Sequence, residues 1–258
     1  MLGLLPIPKR TASLAVRFFL CSLLWLLPLQ ASALSPSLDR DVADKAWQTI
    51  TKIEVKNNIP RGLLLAISLV ETGLGMDGHY LPWPYTLNVN ATSYKKFATA
   101  TEALAYLTKL DKADFRRYYL HIGENYYKNV NAAFAREKLL AAPVDASIRF
   151  RGRGFSEHYS TPERALEVAQ NLLKAGIKNM DVGLMQVNWY YHGEQFKSIA
   201  DAFDPYKNVS YAVSYLRKHR QTRDWWGSVG RYHSGTGNHA KNYVRAVWEM
   251  YRRIHRLK

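Results

Sequence analysis

The segment Leu63-Leu64-Leu65-Ala66-Ile67-Ser68-Leu69-Val70 constrains the fold more than any other part of the chain. Pro60 reads as the first position of a helix, and Gly73 and Gly75 as its stop. A helix that is apolar nearly all round is stable only with neighbours on every side, so this one is expected at the centre of the core. Glu71 closes it. A carboxyl group there is either exposed at the helix end or desolvated against the core. Desolvation would disfavour the ionised form and raise its pKa, leaving an acid able to donate a proton near neutral pH. At this position alone both readings stay open.

The surrounding pattern is mostly helical. From Asp41, residues Ala43, Ala46, Trp47, Ile50 and Ile53 recur at helix spacing, and Asn57-Asn58 breaks the run. Residues 82–90 (PWPYTLNVN) suggest a short strand or loop at the surface. Thr101–Leu110 and Asp114–Leu140 read as helices, whereas 141–160 lose periodicity and carry Arg149, Arg151 and Arg153. Thr161-Pro162-Glu163 opens a helix that ends at Gly176, and Asp181–Trp189 is strand-like. Further helices follow from Asp204-Pro205 to His219, from Trp225 to about Tyr232, and from about His239 to His255. Residues 98–107 faintly echo 160–168, which two similar helix N-termini explain as well as a repeat does. The expected fold is mainly α with a small β element: one domain over 41–258, helices around a cleft, with a helical insertion at about 91–160.

The N-terminus predicts export. Lys9, Arg10 and Arg17 precede an apolar run from Phe18 to Leu29, and Ala31-Ser32-Ala33 offers a small-residue cleavage site. Residues 1–33 are thus expected to be a signal peptide, with 34–40 a linker; an uncleaved membrane anchor is the alternative. The run falls short of the ~20 residues that span a bilayer. The sole cysteine, Cys21, lies inside it, so the remainder can form neither disulfides nor a cysteine-based zinc site. The net charge of +15 favours an acidic partner such as peptidoglycan, an acidic polymer or anionic lipid. Export and the absence of a nucleic-acid motif argue against nucleic acid.

Two further motifs carry chemistry. In Asp181-Val182-Gly183-Leu184-Met185-Gln186-Val187-Asn188-Trp189, Gly183 permits close backbone approach. Met185 offers an adaptable apolar wall, and Gln186 and Asn188 present amides suited to sugar hydroxyls and N-acetyl groups. On a strand, Gln186 and Asn188 would share a face; an ordinary buried strand explains the pattern too. Gly230-Arg231-Tyr232-His233-Ser234-Gly235 is a polar loop, and Tyr243 falls on the helix after it. No histidine pair has metal-ligand spacing, so neither a metal nor another cofactor is expected.

In this order, helix-Glu71-Thr72-Gly73, Gly183-Leu184-Met185-Gln186, Phe203-Asp204-Pro205 with Asn208, Tyr232-His233-Ser234-Gly235 and Tyr243 resemble the soluble-lytic-transglycosylase domain, with its goose-type-lysozyme-like fold. The resemblance covers about 41–90 and 160–255. Trp83-Pro84-Tyr85-Thr86-Leu87-Asn88-Val89 and the extended Asp181–Asn188 motif look most like small members that accompany type IV secretion, conjugation or pilus systems.

The resemblance implies that Glu71 is the single catalytic acid/base and that Gly183, Met185 and Gln186 line the glycan. Tyr232 and Tyr243 match the family's aromatic positions, and Tyr243 is expected near the acid. Asn188 and His233 complete the expected substrate contacts. Thr72 stands where serine is usual, His233 where asparagine is usual, and 91–160 exceeds the family's usual connection. The implied reaction cleaves the MurNAc–GlcNAc β-1,4 bond and leaves 1,6-anhydromuramic ends. A hydrolytic muramidase using Asp181 or another acid, and a glycan-binding assembly component of an envelope-spanning machine, are the other readings. The implied partners are peptidoglycan and secretion, conjugation or pilus components. The expected location is the periplasm, free or membrane-associated.

Overall fold

A computed structural model describes residues 38–234 and 237–256; the expected signal peptide and most of the linker lie outside them. Helix α1 (Arg40–Lys56) buries Ala43, Ala46, Trp47, Ile50 and Ile53, the stripe that the sequence spacing marks. Helix α2 (Leu63–Thr72) begins at Leu63, three residues after Pro60, because Gly62 takes a left-handed backbone (φ 89°) and closes the preceding turn. A hairpin follows, β1 (Gly73–Met76) with β2 (His79–Pro82), and then β3 (Thr86–Val89). The chain continues through β4 (Lys95–Phe97), α3 (Ala100–Lys112), β5 (Tyr118–Ile122), β6 (Asn125–Val130), α4 (Ala132–Leu140), β7 (Ile148–Gly152) and β8 (Phe155–His158). The last part comprises α5 (Pro162–Lys174), β9 (Met180–Val182), β10 (Val187–Asn188), α6 (Trp189–His192), α7 (Ile199–Phe203), α8 (Pro205–Arg220), α9 (Trp225–His233) and α10 (Gly237–Arg256).

The architecture is mainly α with antiparallel strands, and lysozyme-like. One core gathers α1, α2, α8, α9 and α10 around the fully buried Leu64, Ile67 and Leu69. A second gathers α3, α4, α5 and α7 against two four-stranded sheets, ordered β10-β9-β3-β8 and β4-β7-β5-β6. Tyr85 and Phe196 pack against both cores. Glu71 sits at the end of α2, beside the Leu184 turn that joins β9 to β10.

Three local expectations give way to the structure. The helix expected over Asp114–Leu140 is the hairpin β5–β6 followed by the shorter α4, so 91–160 is a mixed α/β segment rather than a helical one. Burial in β5 alternates, with Tyr118, Leu120 and Ile122 inward; that is the period of a strand. The non-periodic 141–160 likewise yields β7, where Ile148 and Phe150 point in and Arg149 points out.

Residues 82–90 are interior rather than surface. Strand β3 lies between β9 and β8, and Trp83 is fully buried with its indole N–H on the Tyr159 carbonyl at 2.7 Å. Finally, Asp181–Trp189 is a hairpin and not one strand. Gly183 (φ 76°) and Gln186 (φ 44°) take left-handed conformations, and Gln186 N–H bonds back to the Gly183 carbonyl at 3.1 Å.

Among the described residues no helix is long and apolar enough to cross a membrane.

Candidate active site

Helix α2 has no side-chain cap of its own, since Gly62 occupies that position. The exposed amide groups of its first turn would be costly inside a core. Glu54, on α1 and only 1% exposed, supplies the missing acceptors. Its Oε2 takes the Gly62 N–H at 2.8 Å and its Oε1 the Leu65 N–H at 3.1 Å. Burial nevertheless pushes the Glu54 carboxyl above its ordinary pKa, with the backbone hydrogen bonds pulling the other way.

The far end of α2 is locked to the Gly183–Gln186 turn. Ser68 donates to the Leu184 carbonyl at 3.1 Å, and Thr72 to the same oxygen at 3.3 Å. The hydroxyl that Thr72 shares with serine is therefore used. From the other side Asn208, fully buried on α8, clasps the turn. Its Oδ1 accepts the Met185 N–H at 2.8 Å, while its Nδ2 donates to the carbonyls of Val182 (2.9 Å) and Ala202 (2.8 Å). A Cβ at residue 183 would lie 2.7 Å from Asn208 Nδ2 and 2.8 Å from the Ala202 oxygen. With its positive φ, Gly183 is thus fixed by packing as well as by backbone shape.

The tyrosine hydroxyl of residue 243, from α10, donates to Glu71 Oε1 at 2.5 Å. Tyr243 is 7% exposed, and the His233 ring stacks on it at 4.3 Å and 5°. Tyr232 donates to the Met185 carbonyl at 2.5 Å, tying α9 to the turn. Burial raises the Glu71 pKa from 4.5 to about 7; the Tyr243 hydrogen bond opposes this, and the charge of Asp181 adds to it. Both tyrosines are pushed upward, first by burial and then by Glu71, so they remain protonated donors. Burial and His239 lower His233, which favours its neutral form.

Asp181 belongs to a polar row across the β10-β9-β3-β8 sheet. Asn188 and Asn88 register on either side of it, and Ser156 registers opposite Asn88. Its two oxygens accept from Asn188 Nδ2 (2.8 Å) and Asn88 Nδ2 (3.2 Å). Burial raises the Asp181 pKa and these amides lower it. The carboxylate is therefore held on both oxygens.

The structure brings the residues singled out from sequence into one neighbourhood, but it gives several of them internal duties. Met185 is fully buried, so its contribution is a carbonyl for Tyr232 and not an apolar wall facing a ligand. The Gln186 amide donates to the carbonyls of Gly183 (2.8 Å) and Thr86 (3.3 Å). Asn188 orients Asp181 and caps α6 through Tyr190 and Tyr191 N–H. Gln186 and Asn188 do not share a strand face, because the turn separates them.

Sequence reasoning missed Glu54, Ser68 and an aromatic wall beside Tyr232. Tyr215 meets Tyr232 at 5.8 Å and His192 at 4.9 Å, and the Tyr211 hydroxyl bonds His192 Nδ1 at 2.9 Å. Tyr211, Tyr215 and His219 stand four residues apart on α8, a same-face spacing that could have revealed the wall.

Residues 164–252 match the family model of the transglycosylase SLT domain. The SLT segment contains the Gly183–Gln186 turn, Asn208, Tyr232 and Tyr243, and Glu71 reaches it from outside through α2. No curated protein and no solved structure matches the chain significantly.

Proposed function

We propose that this protein is a peptidoglycan lytic transglycosylase in which Glu71 acts first as acid and then as base. The observation that carries the proposal is a carboxyl group poised at about 7 by burial, with Tyr243 donating to Glu71 Oε1. One group can serve both roles at neutral pH only if both of its protonation states are accessible there. The match to the transglycosylase SLT domain supports the same reading.

In the first step protonated Glu71 gives its proton to the oxygen bridging N-acetylmuramic acid and N-acetylglucosamine. The bond from that oxygen to the muramic C1 breaks, and the substrate's own N-acetyl group stabilises the cationic carbon. Glu71, now ionised and held by Tyr243, takes the proton of the muramic C6 hydroxyl as its oxygen bonds to C1. The products are a 1,6-anhydromuramic end and a free N-acetylglucosamine hydroxyl, and water is not consumed.

Two-carboxylate glycosidases need a second group free to attack or to activate water. Asp181, gripped by two asparagine amides, is better suited to orienting the sheet edge and tuning Glu71. The wall of Tyr211, Tyr215 and Tyr232 offers ring faces for sugars.

Export by residues 1–33 and service to a secretion, conjugation or pilus machine belong to this proposal. Cell fractionation tests the first, and co-purification with an envelope complex tests the second. The activity itself is tested by mass spectrometry of fragments released from purified peptidoglycan. Anhydromuramic ends from the native protein, absent with Glu71→Gln, are expected. Reducing ends would instead establish a hydrolase.

A further inference from the structure

The sheet β4-β7-β5-β6 covers the second core with one face and leaves the other in solvent. Its inner side supplies Phe97, Ile148, Phe150, Tyr118, Leu120 and Ile122. Its outer side is made of cations and rings. Register places Lys96 opposite Arg149, Arg149 opposite His121, and Arg151 opposite Tyr119. His121 then faces Tyr126 and stacks on it at 4.4 Å. Tyr94, just before β4, meets His121 edge-on at 5.4 Å, with the guanidinium groups of Arg149 and Arg151 at 5.7 and 4.9 Å. Arg151 also covers Tyr119 at 4.8 Å.

The four strands carry no aspartate or glutamate, and the outer side carries Lys96, Arg149 and Arg151; Lys95, opposite Phe150, lies over the Phe97 and Tyr106 rings on the other side, and Glu124 lies in the β5–β6 turn. Like charges directly opposite destabilise a sheet, and here Arg149 has Lys96 as its neighbour on β4. Such a face is completed by negative charge from outside. Tyr94 and Tyr126 remain 39% and 49% exposed, so their rings are available as well.

We propose that this face binds a carboxylate-bearing glycan strand, as a holding surface additional to the site around Glu71. The inference rests on the peptidoglycan reading above. Pyranose rings present C–H faces to the tyrosines, while stem-peptide carboxylates, and muramic lactyl carboxylates where the stem has been removed, supply partners for the arginines and lysines. Neighbouring strands are ~4.8 Å apart, so Lys96 and Arg149, directly opposite each other, stand close enough to hold one carboxylate between them. The segment 95–152 contributes no side chain to the contacts around Glu71 described above and lies outside the SLT match.

The test is sedimentation of full-length protein carrying Glu71→Gln with insoluble peptidoglycan, and in parallel with chitin, whose N-acetylated sugar backbone lacks carboxylates. Adding Lys96→Glu and Arg149→Glu is expected to weaken peptidoglycan binding at least about fivefold, the loss of two exposed charge pairings, and to leave chitin binding unchanged. With Glu71 restored, the same charge reversals are expected to leave cleavage of short soluble fragments at the parent rate. Tyr126→Ala keeps the charge and is expected to weaken sedimentation about threefold through the lost ring. It serves if the charge reversals fail to fold in a thermal melt.

Peptidoglycan binding unaltered in the folded variants overturns the proposal. So does tighter capture of single-stranded DNA or anionic phospholipid vesicles than of peptidoglycan, lost in the same variants. Failure to find anhydromuramic products would overturn the cleavage reading alone, since sedimentation does not depend on catalysis.

Discussion

Tyr243 donates a 2.5 Å hydrogen bond to Glu71 from a helix that starts far along the chain, and this contact sets the balance of the site. Burial pushes the carboxyl toward its protonated form and the phenol draws it back. Tyr243→Phe keeps the ring that stacks on His233 and removes only the donor. The Glu71 pKa should then rise above about 7. The alkaline limb of kcat/KM against pH should move to higher pH, because the acid form persists further. The rate at neutral pH should fall about tenfold or more, as expected for a lost hydrogen bond to a charged group. A pH profile of anhydromuramic product formation checks both. An unmoved alkaline limb would mean that the phenol does not tune the carboxyl.

The raised pKa also has a consequence for stability. Folded Glu71 titrates at about 7 and the unfolded group near 4.5. The folded state therefore holds its proton more tightly. The associated stabilisation is complete below the unfolded value and is lost as pH rises through the folded one. Glu71→Gln has no charge to desolvate. Near pH 4 the variant should match the native protein, and at pH 8 it should be more stable by about 2 kcal/mol, discounting the full shift for partial solvent access. Urea melts at the two pH values decide this, and equal stability at pH 8 would contradict the raised pKa.

The legibility of the fold follows from the range of the forces involved. Helices α1, α5, α8 and α10 declare themselves through apolar spacing and local caps such as Thr161 and Asp204. The echo between 98–107 and 160–168 reduces to two threonine caps, Thr99 and Thr161. Strands β5 and β6 were hidden because their tyrosine, lysine and asparagine content suits an exposed helix face as well as a sheet edge. Glu71 and the Gly183–Gln186 motif were legible as residue types. The duties of Asn208 and Ser68 at that turn were not, because Asn208 reaches Met185 and Val182 across 23 and 26 residues and Ser68 reaches Leu184 across 116.

The Gly183 turn gives a prediction about shape. Gly183→Ala adds a methyl 2.7 Å from Asn208 Nδ2 and 2.8 Å from the Ala202 oxygen, at a φ of 76°. Asn208 must then release one of its buried hydrogen bonds. A left-handed alanine costs about 1–2 kcal/mol and a displaced buried hydrogen bond about 1–3 kcal/mol more. Chemical denaturation should show a loss of that combined order, with cleavage activity falling further than stability because Tyr232 and Thr72 are anchored to the same turn. A variant with native stability and activity would show that the turn has room the structure does not give it.

Glu54 provides the complementary test, at the other end of α2. Its two oxygens hold the Gly62 and Leu65 amides inside the core, and no residue near Gly62 in sequence replaces them as a side-chain cap. Glu54→Ala leaves both N–H groups buried without acceptors and opens a cavity. Each orphaned donor costs about 1–3 kcal/mol, so a loss of about 3 kcal/mol or more is expected. Glu54→Gln keeps one acceptor and should lose roughly half as much. Because α2 carries Glu71, slippage at its start also shifts the carboxyl relative to Tyr243. The alanine variant should therefore show a reduced kcat under conditions where it remains fully folded by circular dichroism, with the glutamine variant between it and the native protein. A stability loss without any change in kcat would mean that the Ser68 and Thr72 bonds to Leu184 alone suffice to place Glu71.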